Sequence, residues 1–169
     1  QNWLKKNNWF FYDHQLETLN QSMNGYDILL IAPTGGGKTL AGFLPSLHDL
    51  INNNSPENKL HTLYISPLKA LTIDVHRNLT NPIEDQNLDI RVETRTGDTS
   101  SYKKNRQKNV PPHMLMTTPE SLALLLADIK AKEYFKSLRY LIIDEIHSLV
   151  NTKRGDLLSL NLSRLDTIS

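Results

Sequence analysis

The chain has 169 residues, 38% of them hydrophobic, and a formal net charge of +1, enough for one well-buried domain and too little for two of ordinary size. So small a charge sets up no long-range field that selects an acidic polymer, and it leaves open a polymer gripped by local loops. The absence of cysteine excludes disulfides and thiolate metal sites and permits a reducing compartment such as the cytoplasm, while the longest apolar runs, such as Leu122 to Ala127, fall far short of the roughly 20 residues of a membrane span.

Gln1 to Tyr12 is rich in aromatic residues, with Trp3, Trp9, Phe10, Phe11 and Tyr12, a composition suited to a core. Asp13 reads as a helix N-cap, Leu16, Leu19 and Met23 line one helical face, and Asn24-Gly25 stops the helix. The apolar run Ile28-Leu29-Leu30-Ile31 reads as a strand that delivers Ala32-Pro33-Thr34-Gly35-Gly36-Gly37-Lys38-Thr39. That octapeptide has the chemistry of a phosphate-binding loop. Its glycines let backbone N–H groups turn inward on phosphate oxygens, and the helix starting near Lys38 adds its positive end. Lys38 reaches the β- and γ-phosphates, and the Thr39 hydroxyl can hold Mg²⁺. Ala32 stands where the pattern usually has Gly, which points away from small GTPases and kinases. Leu40, Phe43, Leu44, Leu47, Leu50 and Ile51 continue as an amphipathic helix that Pro45 should kink.

Asn52 to Asn58 is a polar loop, and Leu60 to Ile65 reads as the next strand. Ser66-Pro67-Leu68-Lys69-Ala70-Leu71 turns into a helix carrying Leu71, Val75 and Leu79, with Pro82 after its end. A strand over Ile90 to Thr94 delivers the small polar loop Arg95-Thr96-Gly97-Asp98-Thr99-Ser100. The basic run Lys103, Lys104, Arg106 and Lys108 follows, as a solvated helix face or a phosphate-binding patch. His113 to Met116 is a short strand before Thr117-Thr118-Pro119-Glu120-Ser121-Leu122 and a Leu-rich helix, and Leu138 to Ile143 is the last strand. Strands alternating with helices predict an α/β fold, a parallel sheet with helices on both faces.

Leu141-Ile142-Ile143-Asp144-Glu145 is an apolar strand ending in two carboxylates, placed where such sheets bind ligands. In this Walker B pattern Asp144 holds Mg²⁺ opposite Thr39, and Glu145 orients or deprotonates the water that attacks the γ-phosphate. His147 has no second histidine at zinc-ligand spacing and reads as a coupling residue between the nucleotide site and the rest of the machine.

With Asp144-Glu145-Ile146-His147 in place, the ordered motif set resembles a DExH-box helicase of superfamily two, specifically the Lhr (large helicase-related) group. The resemblance covers nearly the whole chain. Gln15 looks like the Q motif, Ala32 to Thr39 motif I, Ser66 to Leu71 motif Ia, Thr117 to Leu122 motif Ib and Asp144 to His147 motif II. Arg95 to Ser100 and Lys153-Arg154-Gly155 look like further blocks of the group.

The resemblance implies a first RecA-like lobe, a P-loop NTPase domain over residues 1–169 with 1–26 as its Q-motif segment. ATP is the implied fuel and Mg²⁺ the implied metal. Gln15 recognises adenine, and an upstream aromatic, Trp9 or Phe11, stacks on it. Lys69, Arg95, Gly97, Thr117, Thr118, Pro119 and Glu120 would lie along a single strand's backbone without reading sequence. The Arg95 to Ser100 block also resembles bacterial members linked with DNA ligase, which favours DNA over RNA.

The start at Gln1 rather than Met suggests a fragment or a processed product, and the family's Ser-Ala-Thr motif and second RecA-like lobe would follow Ser169. On that reading these residues alone bind nucleotide but hydrolyse it slowly, because the second lobe supplies the arginine finger. The rival classes are a P-loop switch and a non-catalytic nucleic-acid-binding module. A guanine switch would carry Asn-Lys-x-Asp, and the only Asn-Lys here continues as Leu60-His61. A degenerate module has no physical need for Lys38, Thr39, Asp144 and Glu145 together.

Overall fold

The computed structural model describes residues 11–33, 35–52 and 58–168. Its centre is a four-stranded sheet of β1 (Thr62–Ile65), β2 (Val92–Arg95), β3 (Met114–Thr117) and β4 (Tyr140–Ile143), in the spatial order β2-β3-β1-β4. All three pairings are parallel. Each strand is the core of a longer apolar run, and the residues before it serve as approach. His61 N and Thr62 N, for instance, both donate to the His113 carbonyl.

Side-chain alternation along these strands separates two cores. Leu63, Ile65 and Leu115 point to one face, where they meet α5 (Pro119–Leu126), α6 (Ala131–Phe135) and α7 (Lys153–Ile168). Tyr64, Met114 and Met116 point to the other, against α2 (Lys38–Asn52) and α3 (Lys69–Asp85). Helices on both faces explain why β1 and β3 are buried at every residue. The remaining helices are α1 (Asp13–Met23), which packs on α2, and α4 (Ser101–Asn109) beside the β2 end.

Four expectations need correction. Ile28 to Ile31 forms no strand: residues 26–33 are irregular, and Leu29 and Ile31 are 76% and 85% exposed. A strand needs a neighbour's ladder for its N–H and C=O groups, and among the described residues this run pairs with none. In α1 the face turned inward carries Gln15 and Thr18, while Leu16 and Met23 are exposed, and Tyr12 rather than Asp13 is the N-cap. Pro45 lies buried within α2, which is unbroken there, and the expected kink is not among these corrections. α3 likewise runs past Pro82 to Asp85, which lets Ile83 reach the core. The donor lost at Pro82 falls on exposed Asn78, whose carbonyl water can serve.

Candidate nucleotide site and nucleic-acid rim

Parallel register brings the strand ends into line: Ile65 lies opposite both Thr117 and Ile143, and Arg95 opposite Thr117. The segments that follow, Ser66–Leu68, 96–100, Thr118 and Asp144-Glu145, therefore leave the sheet along one rim, the edge where parallel α/β sheets hold ligands.

At the phosphate loop, Gly35 and Gly37 have φ of +81° and +71°, a conformation glycine adopts without a Cβ penalty. A Cβ on Gly37 would run into the Gln15 amide and the Tyr12 ring. Gln15 is 2% exposed, donates from Nε2 to the Gly37 carbonyl at 3.1 Å, and accepts from Tyr12 N at 3.0 Å. It tethers α1 to the loop from behind. Lys38 Nζ donates to the carbonyls of Ala32 at 2.7 Å and Pro33 at 2.9 Å, so the ammonium stays over its own loop. Thr34 and Trp9 lie outside the described residues; Phe11 is half-buried.

α2 carries this loop onto the sheet. Gly42 sits so close to β4 that a Cβ there would lie 3.3 Å from Ile142 Cγ2, and Phe43 stacks on Tyr64 with ring centroids 5.3 Å apart. At the end of β4, Asp144 is half-buried, and each carboxylate oxygen takes one internal donor. Glu145 N donates to Oδ1 at 2.9 Å and Tyr64 Oη to Oδ2 at 2.8 Å. Glu145 has φ +51°, a left-handed conformation that costs a non-glycine residue about 1–2 kcal/mol. This turns its carboxylate toward His147, whose Nε2 is 3.1 Å from Oε2.

Among the described residues no three His, Cys, Asp or Glu side chains converge as a metal cluster. At a nucleotide site Mg²⁺ is commonly held by a carboxylate, a hydroxyl and the nucleotide's own phosphates. Asp144 and Thr39 fit that donor set.

On the rest of the rim, Lys69 at the start of α3 is half exposed and pairs with Asp98, Nζ to Oδ1 at 2.9 Å. Gly97 is exposed, and its carbonyl accepts from Lys104 Nζ at 3.1 Å. Arg95 is turned inward, 5% exposed, donating to the Lys104 carbonyl at 2.9 Å, and burial lowers its pKa. Thr117, fully buried, donates to the Arg95 carbonyl, and Thr118 caps α5. Arg95, Thr117 and Thr118 therefore brace the rim, while Lys69, Gly97 and Glu120 face outward. Glu120 forms a two-pronged pair with Arg154, which holds its carboxyl below the ordinary value. Pro119 opens α5 and its carbonyl accepts from buried Asn161 at 2.9 Å.

The basic run is largely engaged: Arg106 pairs with Glu93 and Lys108 with Asp128. Gly155 fits because a Cβ there would collide with the Leu149 carbonyl. Tyr64 is the residue that pattern reading missed, since it looks like one more strand aromatic.

The DEAD/DEAH box helicase model matches residues 12–169. The chain belongs to that family. This chain is 41% identical over 175 residues to the ATP-dependent helicase Lhr-Core of Methanothermobacter thermautotrophicus, covering 96% of the chain and 20% of that protein. It is 38% identical over 171 residues to the Lhr helicase/uracil glycosylase of Escherichia coli, covering 91% of the chain and 11% of that protein. The solved structure of Mycobacterium smegmatis helicase Lhr bound to ssDNA and AMP-PNP superposes with a TM-score of 0.79 at 41% identity, covering 92% of this chain and 21% of that one. The Lhr resemblance and the RecA-like α/β fold both agree with these likenesses. The DEAD-box helicase Mss116, at 20% identity and TM-score 0.81, shares the fold. Among the described residues no helix is long and apolar enough to cross a membrane.

Proposed function

We propose that this chain is the ATP-binding lobe of an ATP-dependent helicase or translocase acting on single-stranded or partly duplex nucleic acid, with DNA favoured over RNA. The observation that carries this reading is the common rim: the phosphate-loop helix lies against β4, whose end bears Asp144 and Glu145, and the loops with Lys69 and Gly97 emerge along the same edge. The ssDNA and AMP-PNP of the Mycobacterium smegmatis Lhr structure support the ligand classes.

Lys38 exchanges its loop carbonyls for β- and γ-phosphate oxygens, and backbone N–H groups of Gly35 to Thr39 cradle the phosphates. Thr39 and Asp144 would hold Mg²⁺, which when bound would neutralise charge on the phosphates. Glu145 aligns the attacking water and receives its proton. The strained backbone at Glu145 aims the carboxylate, and the His147 contact keeps it within reach of neighbouring elements. Gln15 senses adenine while gripping the loop, with Phe11 or Trp9 beside the base. Lys69, Gly97 and the α5 start around Glu120 follow a sugar-phosphate backbone, and Arg95, Thr117, Thr118 and Pro119 keep that track in shape. A second RecA-like lobe supplies the arginine finger, whose loss commonly costs about 10³ to 10⁵ in rate, so this lobe alone binds nucleotide and turns it over slowly.

The test is ATP hydrolysis by the full-length protein with single-stranded DNA or RNA of matched sequence. Stimulation by DNA is expected, with Lys38→Ala weakening nucleotide binding and Glu145→Gln keeping binding while losing turnover. Normal hydrolysis by Glu145→Gln would remove Glu145 from its role, and stimulation by RNA alone would move the substrate while leaving the nucleotide chemistry.

A further inference from the structure

Tyr64 stands in the middle of β1, 1% exposed, among Phe43, Val75, Met114 and Met116. A hydroxyl in so apolar a place is costly unless bonded, and phenylalanine would fill the same volume without it. The hydroxyl reaches past the end of its own strand to the neighbouring one and donates to Asp144 Oδ2 at 2.8 Å. Glu145 N donates to Oδ1, so two donors on different elements fix the plane of the carboxylate and leave its remaining lone pairs for a cation. The ring is itself clamped by the stack with Phe43 on the phosphate-loop helix.

We propose that Tyr64 is a positioning residue for the cation of the nucleotide complex, setting the orientation of Asp144 from behind and tying it to the helix that carries Lys38 and Thr39. The inference rests on the reading of Asp144 as the carboxylate that holds Mg²⁺. Outer partners that orient a metal's ligands are typically worth about 10- to 100-fold in metal affinity.

The experiment is an electron paramagnetic resonance titration of Mn²⁺ into the full-length protein saturated with a non-hydrolysable ATP analogue. Tyr64→Phe is expected to weaken Mn²⁺ binding about tenfold, with the metal-free affinity for the analogue unchanged. In hydrolysis, half-saturating Mg²⁺ should rise by about the same factor while kcat at saturating Mg²⁺ stays within about twofold. In an Asp144→Asn background, Tyr64→Phe should add nothing, because the tyrosine acts through that carboxylate. Unchanged Mn²⁺ affinity in Tyr64→Phe, or an equal further loss on top of Asp144→Asn, would overturn the proposal. Wild-type protein that binds the analogue but no Mn²⁺ would instead overturn the underlying assignment of Asp144, and the proposal with it.

Discussion

Strands β1 and β3 are buried at every residue, whereas Ile28 to Ile31, just as apolar in sequence, lies largely in water. Composition does not separate them; neighbours do. Each residue of β1 has a parallel partner on both sides, Leu63 facing Leu115 and Leu141, while the incoming run of the phosphate loop has no ladder among the described residues. The sheet is held by apolar burial on two faces, worth roughly 25 cal/mol per Å², and the arm that begins at Tyr12 by the packing of α1 on α2 and by the hydrogen bonds of Gln15. The scaffold and the loop it presents should therefore respond to mutation on different scales.

The largest effect belongs to the scaffold. Phe135 is fully buried, in contact edge-on with Tyr134 and at the heart of the core under α7. Phe135→Ala should cost about 3–5 kcal/mol of unfolding free energy, read from the denaturant midpoint at unchanged slope. A loss below about 1 kcal/mol would mean that this core is not where stability resides.

What was legible in the sequence follows the same division. All four observed strands fall within or beside apolar runs, because partners further along the chain complete their burial. The proposed phosphate loop and the Asp144-Glu145 pair stand out in the sequence because each is a local pattern. The inward face of α1 was not: helical periodicity pointed to Leu16, Leu19 and Met23, and the helix instead turns Gln15 and Thr18 inward. The resemblance places Arg95 along a nucleic-acid backbone, and sequence gives no sign that its guanidinium is buried and donates to the carbonyl of Lys104. The roles of Tyr64 and Gly155 depend on contacts across elements, which no spacing within one strand or helix encodes.

Gln15→Ala tests the arm. It removes the donor to Gly37 and the acceptor for Tyr12 N, bonds worth about 0.5–1.5 kcal/mol each. The loss should fall mainly on nucleotide affinity, several-fold or more by fluorescent-nucleotide titration, with a small change in melting temperature. A fall in melting temperature as large as that of Phe135→Ala, with affinity intact, would erase the distinction between arm and scaffold.

A subtler effect separates them by pH. His61 at the start of β1 is 3% exposed, with Nε2 2.9 Å from Asp49 on α2, Nδ1 against the Thr62 hydroxyl, and Tyr140 and Arg139 nearby. Burial lowers its pKa from 6.5, more than the Asp49 bond and charge raise it. A depressed folded pKa means that the unfolded chain takes up the proton first as pH falls, so this stability is present above about pH 6.5 and lost below it. His61→Gln should flatten that part of the stability–pH curve, and a curve equally steep in the variant would place the acid sensitivity elsewhere. Glu120, held low chiefly by Arg154, contributes its own loss only further into acid.

The smallest effect is the sharpest statement of the comparison. Ile31, 85% exposed directly before the phosphate loop, has little buried surface to lose, so Ile31→Ser should change the unfolding free energy by no more than about 0.5 kcal/mol in these residues alone. The same substitution in the full-length protein decides whether the run stays in water. If it pairs with a strand there, Ile31→Ser would become a buried polar replacement costing about 1–3 kcal/mol and would also weaken nucleotide binding, since the loop would lose its anchor. Equal, negligible effects in both would mean that Gln15 and α2 hold the phosphate loop without a strand behind it.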